Sequence, residues 1–368
     1  MTTRHNIVIY LDANASEILR PEARAAVIEA LEHSGNPASI HGPGRAARRL
    51  LETSRTAIAA SVGVADGDLV FCSGGTEANV TAIAALAPGR RVLIGATEHD
   101  AVRAACPGAT ILPVHRDGTL DLDGLRDALR ADGGSAALVC CMLANNETGV
   151  LHPIAAIAAL CRDHGARLHV DAVQAAGRIP VSIAALGADT LALSAHKMGG
   201  PKGAGALALA PGLALPAFIA GGGQERGRRG GTPPLPAIAG FAAAFTAALA
   251  GPSLAPLRDA LEAEAIAAGA SVCGAGPRLP NTTCLALPGV RAETQLIALD
   301  LAGIAVSAGA ACSSGKVTAS HVLTAMGLGA VAGQTIRVSL SWTTSKEDVA
   351  GFAAAYRAMA ARLARVAV

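Results

Sequence analysis

From about residue 55 to 215, short apolar runs alternate with helix-like patterns along the chain. "DLVFCSGG" precedes "TEANVTAIAALA", and "RRVLIGATEHD" precedes "AVRAAC". "SAALVCCMLANNETG" leads into "IAAIAALCRDHG", and "ARLHVDAVQ" and "DTLALSAHK" complete the series. Such alternation predicts βαβ units, and therefore a largely parallel sheet with helices on both faces. In sheets of this kind ligands gather outside the carboxyl ends of the strands. Ser73, Thr76, His99, Asn146, Asp171, Gln174, His196 and Lys197 all fall just past an apolar run. Solvation alone does not explain so many polar residues at one edge. A second region begins near 250, with a helix in "APLRDALEAEAIAAGA", a strand in "NTTCLALPG" and a helix in "ETQLIALDLAG". "QTIRVSLSW" and a last helix over roughly 346–366 close it.

Composition narrows the classes. Of the 368 residues 51% are hydrophobic, which argues against disorder and supplies a large core, with room for two domains. The net charge of +2 carries no nucleic-acid or membrane-surface signal. The most apolar tract, 238–251, falls short of the ~18 residues a membrane span needs and reads as a buried helix. The first residues lack the apolar core and cleavage site of a signal peptide, so a cytoplasmic protein is expected. Eight cysteines show neither a CxxC pair nor a metal-ligand spacing, which suggests free thiols in a reducing compartment and no metal. "AALVCCMLAN" reads as a buried strand holding Cys140 and Cys141. Cys312 differs, because "SAGAACSSGKVTAS" surrounds it with small residues, and Gly309 and Gly315 loosen the backbone on both sides.

Several stretches can carry chemistry. "FCSGGTEANV" reads as strand, Gly-Gly turn and helix start, where free backbone N–H groups beside Thr76 make an anion cradle; an ordinary capped helix fits equally. It lacks a P-loop's GKS/T and a dinucleotide fingerprint. In "LALSAHKMGGPKGAGAL" a strand ends on Lys197, placed as an amine nucleophile whose desolvation frees the nitrogen for a Schiff base. A surface lysine beside a turn is the plainer alternative. Asp171 ends the preceding strand and could pair with a protonated ring nitrogen, or cap a helix. Anion cradle, imine partner and pyridinium partner together are what pyridoxal phosphate requires. His99 in "ATEHD" could pack on a cofactor ring and move protons, or be structural. The glycine-rich, basic "GGGQERGRRGGTPP" reads as a mobile loop presenting donors to an anion, in preference to an RGG-type nucleic-acid segment.

Taken in order, these motifs resemble the cysteine desulfurases of NifS/IscS type, within the class V aminotransferases. The resemblance covers nearly the whole chain: "YLDANAS", "GNPASIHGPGR", "SGGTEAN", "TEH", "NNETGV", "HVDAVQAAG", "SAHKMGGPKGAGAL", "GGGQERGRRGGTPP", "GAACSSG" and "IRVSL". It implies an α/β fold of the pyridoxal-phosphate-dependent transferase fold type I. A large domain (15–250) with a mainly parallel seven-stranded sheet would hold the cofactor. A smaller α/β domain (1–14 and 251–368) would carry the cysteine loop.

By that resemblance Lys197 would hold the cofactor as a Schiff base and later move a proton between substrate Cα and cofactor. His99 would stack on the ring, Asp171 pair with the ring nitrogen, and Gln174 bond the ring hydroxyl. Gly75, Thr76, Ser194 and His196 would bind the phosphate, with Thr232 reaching it from the neighbouring subunit of a homodimer with shared active sites. Asn146, beside the cofactor, and Arg337 would clamp the substrate carboxylate, a task suited to a bidentate guanidinium. Cys312 would attack the sulfur of bound L-cysteine, releasing L-alanine and carrying a persulfide to a sulfur-acceptor protein. The thiolate is the reactive form; His99 or solvent would take its proton.

The spacing from Cys312 to "VLTAMGLG" resembles the NifS/IscS group in place of the shorter SufS one. Three features depart from the pattern. Gly-Gly-Thr replaces the family's Ser-Gly-Thr while keeping Thr232, and Trp342 stands where relatives are more polar. The chain ends at Val368, where relatives carry a longer tail that helps dock an iron–sulfur scaffold, which puts that partner in question. Alternatives left open are another class V activity, such as a selenocysteine lyase or aminotransferase, and a non-catalytic cofactor-binding partner in sulfur metabolism. The missing GxGxxG disfavours a nicotinamide dehydrogenase.

Overall fold

The computed structural model describes residues 8–131, 136–309 and 319–364. The chain opens with β1 (Ile9–Tyr10), α1 (Pro21–Leu31) and α2 (Gly42–Val62). An alternating series follows: β2 (Leu69–Cys72), α3 (Gly75–Leu86), β3 (Arg91–Gly95), α4 (Asp100–Arg103), β4 (Thr110–Leu112) and α5 (Leu122–Arg130). It continues through β5 (Ala137–Met142), α6 (Ile154–Asp163), β6 (Arg167–Asp171), α7 (Ile183–Leu186), β7 (Thr190–Ser194) and β8 (Gly205–Leu209) to α8 (Leu235–Leu249). The remainder is α9 (Ala255–Ala267), β9 (Ser271–Val272), β10 (Thr282–Ala286), α10 (Ala292–Leu301), β11 (Ile304–Ala305), α11 (His321–Ala325), β12 (Thr335–Ser339) and α12 (Lys346–Ala364).

Among the described residues seven strands form one sheet in the order β2-β8-β7-β6-β5-β3-β4. The pairs from β7 through β4 are parallel, and β8 runs antiparallel to both its neighbours. β8 is the strand that the alternating pattern does not announce, because only a single 3₁₀ turn, Ala195–Lys197, and the glycine-rich turn after it separate its "GALAL" from β7. The central strands β5, β7 and β8 are buried throughout, as expected for strands covered on both faces. The apolar tract that is too short for a span forms α8, which packs against α1 and α2. No helix among the described residues is long and apolar enough to cross a membrane. The expected helix after "TEHD" is only the single turn α4, capped by the His99 ring.

Two large apolar cores lie apart. One runs from Ala23 to Leu279 around the seven-stranded sheet. The other gathers Leu11 with residues from Leu261 to Ala360, including the stacked Phe352 and Tyr356 rings, over the antiparallel β12-β10-β9 sheet. The short β1 pairs with β11, so the first strand of the chain joins the second core.

The glycine-rich basic tract departs from the mobile loop expected of it. Glu225 and Arg226 take left-handed backbone angles (φ 49° and 58°), which side-chain-bearing residues adopt only under constraint. The constraint is visible: both oxygens of the buried Glu225 carboxylate accept from Arg55 at 2.8 Å, and one also accepts the Phe71 amide at 2.9 Å. Arg229 is tied to Glu77 at 2.8 Å. The tract is thus stapled to α2, β2 and α3. Removing one partner of a buried pair strands the other charge. Glu225→Ala is therefore expected to lower unfolding free energy by about 3–5 kcal/mol in urea titration, whereas truncating the exposed Glu347 would change it by less than about 0.5 kcal/mol.

Candidate active site

At the carboxyl ends of β6 and β7 and the start of α3 the fold leaves a cavity of about 150 Å³. Gly75, Thr76, His99, Asn146, Asp171, Gln174, Ser194, His196 and Lys197 all line it, joined by Asn79 and Val173. Nine residues expected at one site from scattered motifs thus share one pocket.

Each is placed by local structure. The cap of α3, Gly74, makes no side-chain capping bond, and Glu77 of the first turn bends back to accept the Ser73 amide. The first N–H groups of α3 are therefore unshielded by side chains where they meet the cavity. Gly75 has no room for a side chain, since a Cβ there would lie 2.6 Å from Val173 Cγ2. Asp171 closes β6, where its Oδ1 accepts the Val173 amide at 2.9 Å and its Oδ2 accepts Asn79 Nδ2 at 2.7 Å. Asp171 also lines the pocket. Burial, then the neighbouring Lys197, pushes the His196 imidazole down to about 4. The ring is neutral at pH 7, with Nδ1 3.3 Å from Ser16 Oγ. His99 Nδ1 accepts the Ala101 amide at 3.0 Å, so a neutral His99 carries its proton on Nε2.

Lys197 Nζ donates to the carbonyls of Asn14 (2.6 Å) and Ala15 (3.1 Å). Gln174 Nε2 donates to the same Asn14 carbonyl at 3.0 Å, while its Oε1 accepts from Arg178 at 2.6 Å. The Asn14 side chain donates to Asn146 O and Thr282 Oγ1, both at 3.0 Å. Asn14 lies within "YLDANAS" and Arg178 directly follows "HVDAVQAAG"; the motifs assign a role to neither. Arg178 has no carboxylate partner among the described residues, and burial lowers its pKa to about 10. It also lines a second cavity of about 280 Å³ with Arg20 and Trp342, and Lys197 borders both. Trp342 donates its Nε1–H to Ile18 O at 2.9 Å beneath the Arg20 guanidinium.

Other expected residues stand differently. Arg337 on β12 is buried and lies outside the lining of the smaller cavity. Its Nη1 donates to Asn146 O at 3.3 Å, its Nη2 pairs with Asp12 at 2.7 Å, and its Nε has no partner. Thr232 is exposed and outside the pocket of its own chain. Cys312 lies outside the described residues, as do Gly315 and Lys316. The approaches to Cys312 are described. Ser307 pairs with Arg337 of β12. Gly309 passes so close to Glu147 that a Cβ would lie 2.1 Å from Oε2, which makes close approach, and not backbone freedom alone, a reason for glycine there. Ser320 donates to the same Glu147 oxygen at 2.5 Å, and His321 meets Glu98 O at 3.2 Å. Both approaches therefore rest on the turns that carry His99 and Asn146.

The donor set fits pyridoxal phosphate: unshielded helix N–H groups with a hydroxyl and a neutral imidazole for a phosphate, a carboxylate for a ring nitrogen, and an amine for its aldehyde. A fold-type-I α/β architecture with such a pocket defines a pyridoxal-phosphate enzyme class. The class V aminotransferase family matches residues 9–352. A cysteine desulfurase of Cereibacter sphaeroides is 44% identical over 360 residues, 92% of each chain. A cysteine desulfurase IscS of Dictyoglomus turgidum is 38% identical, covering 93% of this chain and 91% of that one. The NifS-like protein structure from Rickettsia africae superposes with a TM-score of 0.89 at 35% identity, covering 96% of this chain and 99% of that one. The chain belongs to the class V aminotransferase family, in its cysteine desulfurase branch.

Beneath the turn carrying His99, the buried His152 accepts the Leu120 amide on Nδ1 and meets Thr97 Oγ1 with Nε2. Burial lowers its pKa from 6.5 to about 4. Below pH 6.5 the unfolded chain takes up a proton that the folded chain refuses, so this contribution to stability is present above 6.5 and fades as pH falls toward 4. Between those limits the wild type is expected to lose up to about 1.4 kcal/mol per pH unit more than His152→Gln, read from urea midpoints at pH 7, 6 and 5.

Proposed function

We propose that the protein is a cysteine desulfurase that takes sulfur from L-cysteine, releases L-alanine and leaves a persulfide on Cys312. The reaction balances as L-cysteine plus the Cys312 thiol giving L-alanine plus the Cys312 persulfide. The observation that carries the reading is the convergence of Lys197, Asp171, His99 and the α3 N-terminus on one cavity.

The pocket fits pyridoxal phosphate, which when bound supplies an electrophilic carbon and a ring that takes up the electron pair left at substrate Cα. The α3 N–H groups, Thr76, Ser194 and His196 would hold the phosphate, and a neutral His196 could donate one hydrogen without adding charge. Thr232 of a second subunit completes this set in a homodimer. Asp171 faces the ring nitrogen. Gln174, whose Oε1 accepts from Arg178 and whose Nε2 donates one hydrogen to Asn14 O, would have its second Nε2 hydrogen left for the ring hydroxyl. Lys197 Nζ would hold the cofactor's aldehyde carbon and is the amine placed to carry the proton to and from Cα. His99, with its Nδ1 occupied, works through Nε2 on the Cys312 proton. Asn146 and Arg337 receive the substrate carboxylate; the unpartnered Nε of Arg337 supports this. We divide the chain into a cofactor domain (15–250) and a small domain (1–14 and 251–368), a reading supported by the two separate cores. The persulfide passes to an acceptor protein in the cytoplasm.

The test pairs visible absorption of the purified protein with assays of alanine and sulfide after adding L-cysteine. The wild type should show a cofactor band that changes on addition, with alanine produced. Lys197→Ala should slow alanine formation by at least about a hundredfold. Cys312→Ser should keep the band's response yet lose persulfide and sulfide release. Full sulfur release by Cys312→Ser would reject the persulfide route, and turnover only on selenocysteine or an oxoacid pair would move the protein to another class V activity.

A further inference from the structure

Behind Asp171 the structure holds a buried chain of four polar side chains whose hydrogens all point one way. Asp171 Oδ2 lies 2.7 Å from Asn79 Nδ2, Asn79 Oδ1 lies 2.9 Å from His169 Nε2, and His169 Nδ1 lies 2.8 Å from Thr190 Oγ1. His169 and Asp171 sit two apart on β6 and so share a face of the sheet. Thr190 is the register partner of His169 on β7, and Asn79 comes from the second turn of α3. All four are buried; His169 and Thr190 have no exposure at all, and only Asn79 and Asp171 reach the cavity.

Donor and acceptor roles follow from chemistry. A carboxylate oxygen accepts, so the NH₂ of Asn79 faces Asp171 and its carbonyl faces His169. That carbonyl only accepts, so His169 Nε2 bears a hydrogen. Burial lowers the His169 imidazole to about 3, which leaves it neutral, so its Nδ1 lone pair accepts from the Thr190 hydroxyl. The polarity therefore runs Thr190 to His169 to Asn79 to Asp171. An Asn79 rotated by half a turn would set its carbonyl against the carboxylate and its NH₂ against the Nε2 hydrogen. The first contact would be repulsive, and the second would force His169 to move its hydrogen to Nδ1, so the orientation with the NH₂ on Asp171 is the one that satisfies all four groups.

We propose that His169 and Asn79 are positioning residues that lock Asp171 from behind, so that its carboxylate keeps the cofactor's ring nitrogen protonated. This rests on the reading that the cavity holds pyridoxal phosphate with Asp171 on that nitrogen. His169 acts at a distance by holding the Asn79 carbonyl with its Nε2 hydrogen, which fixes the amide that bonds Asp171, and the neutral ring places no second charge beside the carboxyl group.

The test uses holoenzyme reconstituted with ring-¹⁵N pyridoxal phosphate, reading the nitrogen's protonation by NMR together with the cofactor's dissociation constant. Three variants are compared. His169→Phe fills the ring's volume without an N–H, His169→Gln keeps a donor within reach of Asn79, and Asn79→Ala removes the direct donor. His169→Phe and Asn79→Ala are expected to lose protonated-nitrogen signal and weaken cofactor binding by about 10- to 100-fold. His169→Gln is expected to recover most of both. A purely structural histidine would instead lower Tm and leave the nitrogen signal unchanged. Wild-type nitrogen signal and affinity in a folded His169→Phe, or in Asn79→Ala should the former not fold, would overturn the proposal. A wild type that binds no cofactor would overturn the cofactor reading itself, and the wild-type sample alone reveals that outcome.

Discussion

The carbonyl oxygen of Asn14 is the point on which the site depends. It accepts from both Lys197 Nζ and Gln174 Nε2, while the Asn14 side chain reaches Asn146 O and Thr282 Oγ1 and its amide donates to Ser339 Oγ at 3.0 Å. One buried residue near the start of the chain thus touches β7's end, the turn after β6, the "NNETG" turn, β10 and β12. Hydrogen bonds of this kind contribute only about 1 kcal/mol each to net stability, yet leaving any buried partner unsatisfied costs more. Geometry is the larger consequence. Lys197 and Gln174 are fixed relative to each other through one oxygen, and the Asn146 carbonyl relative to both through one amide. The same carbonyl of Asn146 also receives Arg337, which is held in turn by Asp12, two residues before Asn14.

The second constraint lies in the described residues on either side of the Cys312 segment. Its two approaches touch the site's own turns: Ser307 against Arg337, Gly309 and Ser320 on Glu147, and His321 on Glu98. Glu147 neighbours Asn146 in sequence, and Glu98 neighbours His99. A change at either root is thereby transmitted to residues lining the cavity through adjacent backbone. Glu98 itself is wholly buried, with Oε1 accepting the Met142 amide and Oε2 unpartnered. Burial, reinforced by the nearby Asp171, raises its carboxyl well above the ordinary range.

Much of this was legible in the sequence, for physical reasons. Strand and helix alternation located the sheet, because strands buried on both faces must be continuously apolar. The rule that ligands sit beyond strand ends then pointed to His99, Asp171, Gln174, His196 and Lys197. What stayed hidden depends on contacts between distant segments. Glu225 looks like one charge in a flexible basic tract until Arg55, 170 residues earlier, is brought against it. Asn79 and His169 carry a periodic signal, four residues after Gly75 on a helix and two before Asp171 on a strand. Only the register of β6 against β7 shows that Thr190 completes their chain. Asn14 has no local signal, since its partners are scattered from 146 to 339.

A common electrostatic logic joins these pieces. Burial strips charge from the supports: His169 is lowered to about 3, His196 to about 4, and the Glu98 carboxyl is raised. The two imidazoles are neutral near pH 7 and orient their neighbours by hydrogen bonds, and the shift at Glu98 favours its protonated form. The groups with proposed chemical roles, Lys197 and Asp171, then meet no competing charge from them. In a low-dielectric pocket a stray charge nearby would rival the charge changes of the reaction itself. A charge that remains behind the lining is the Arg178 guanidinium on Gln174, so the field at the cavity is set by the residues that line it together with that cation.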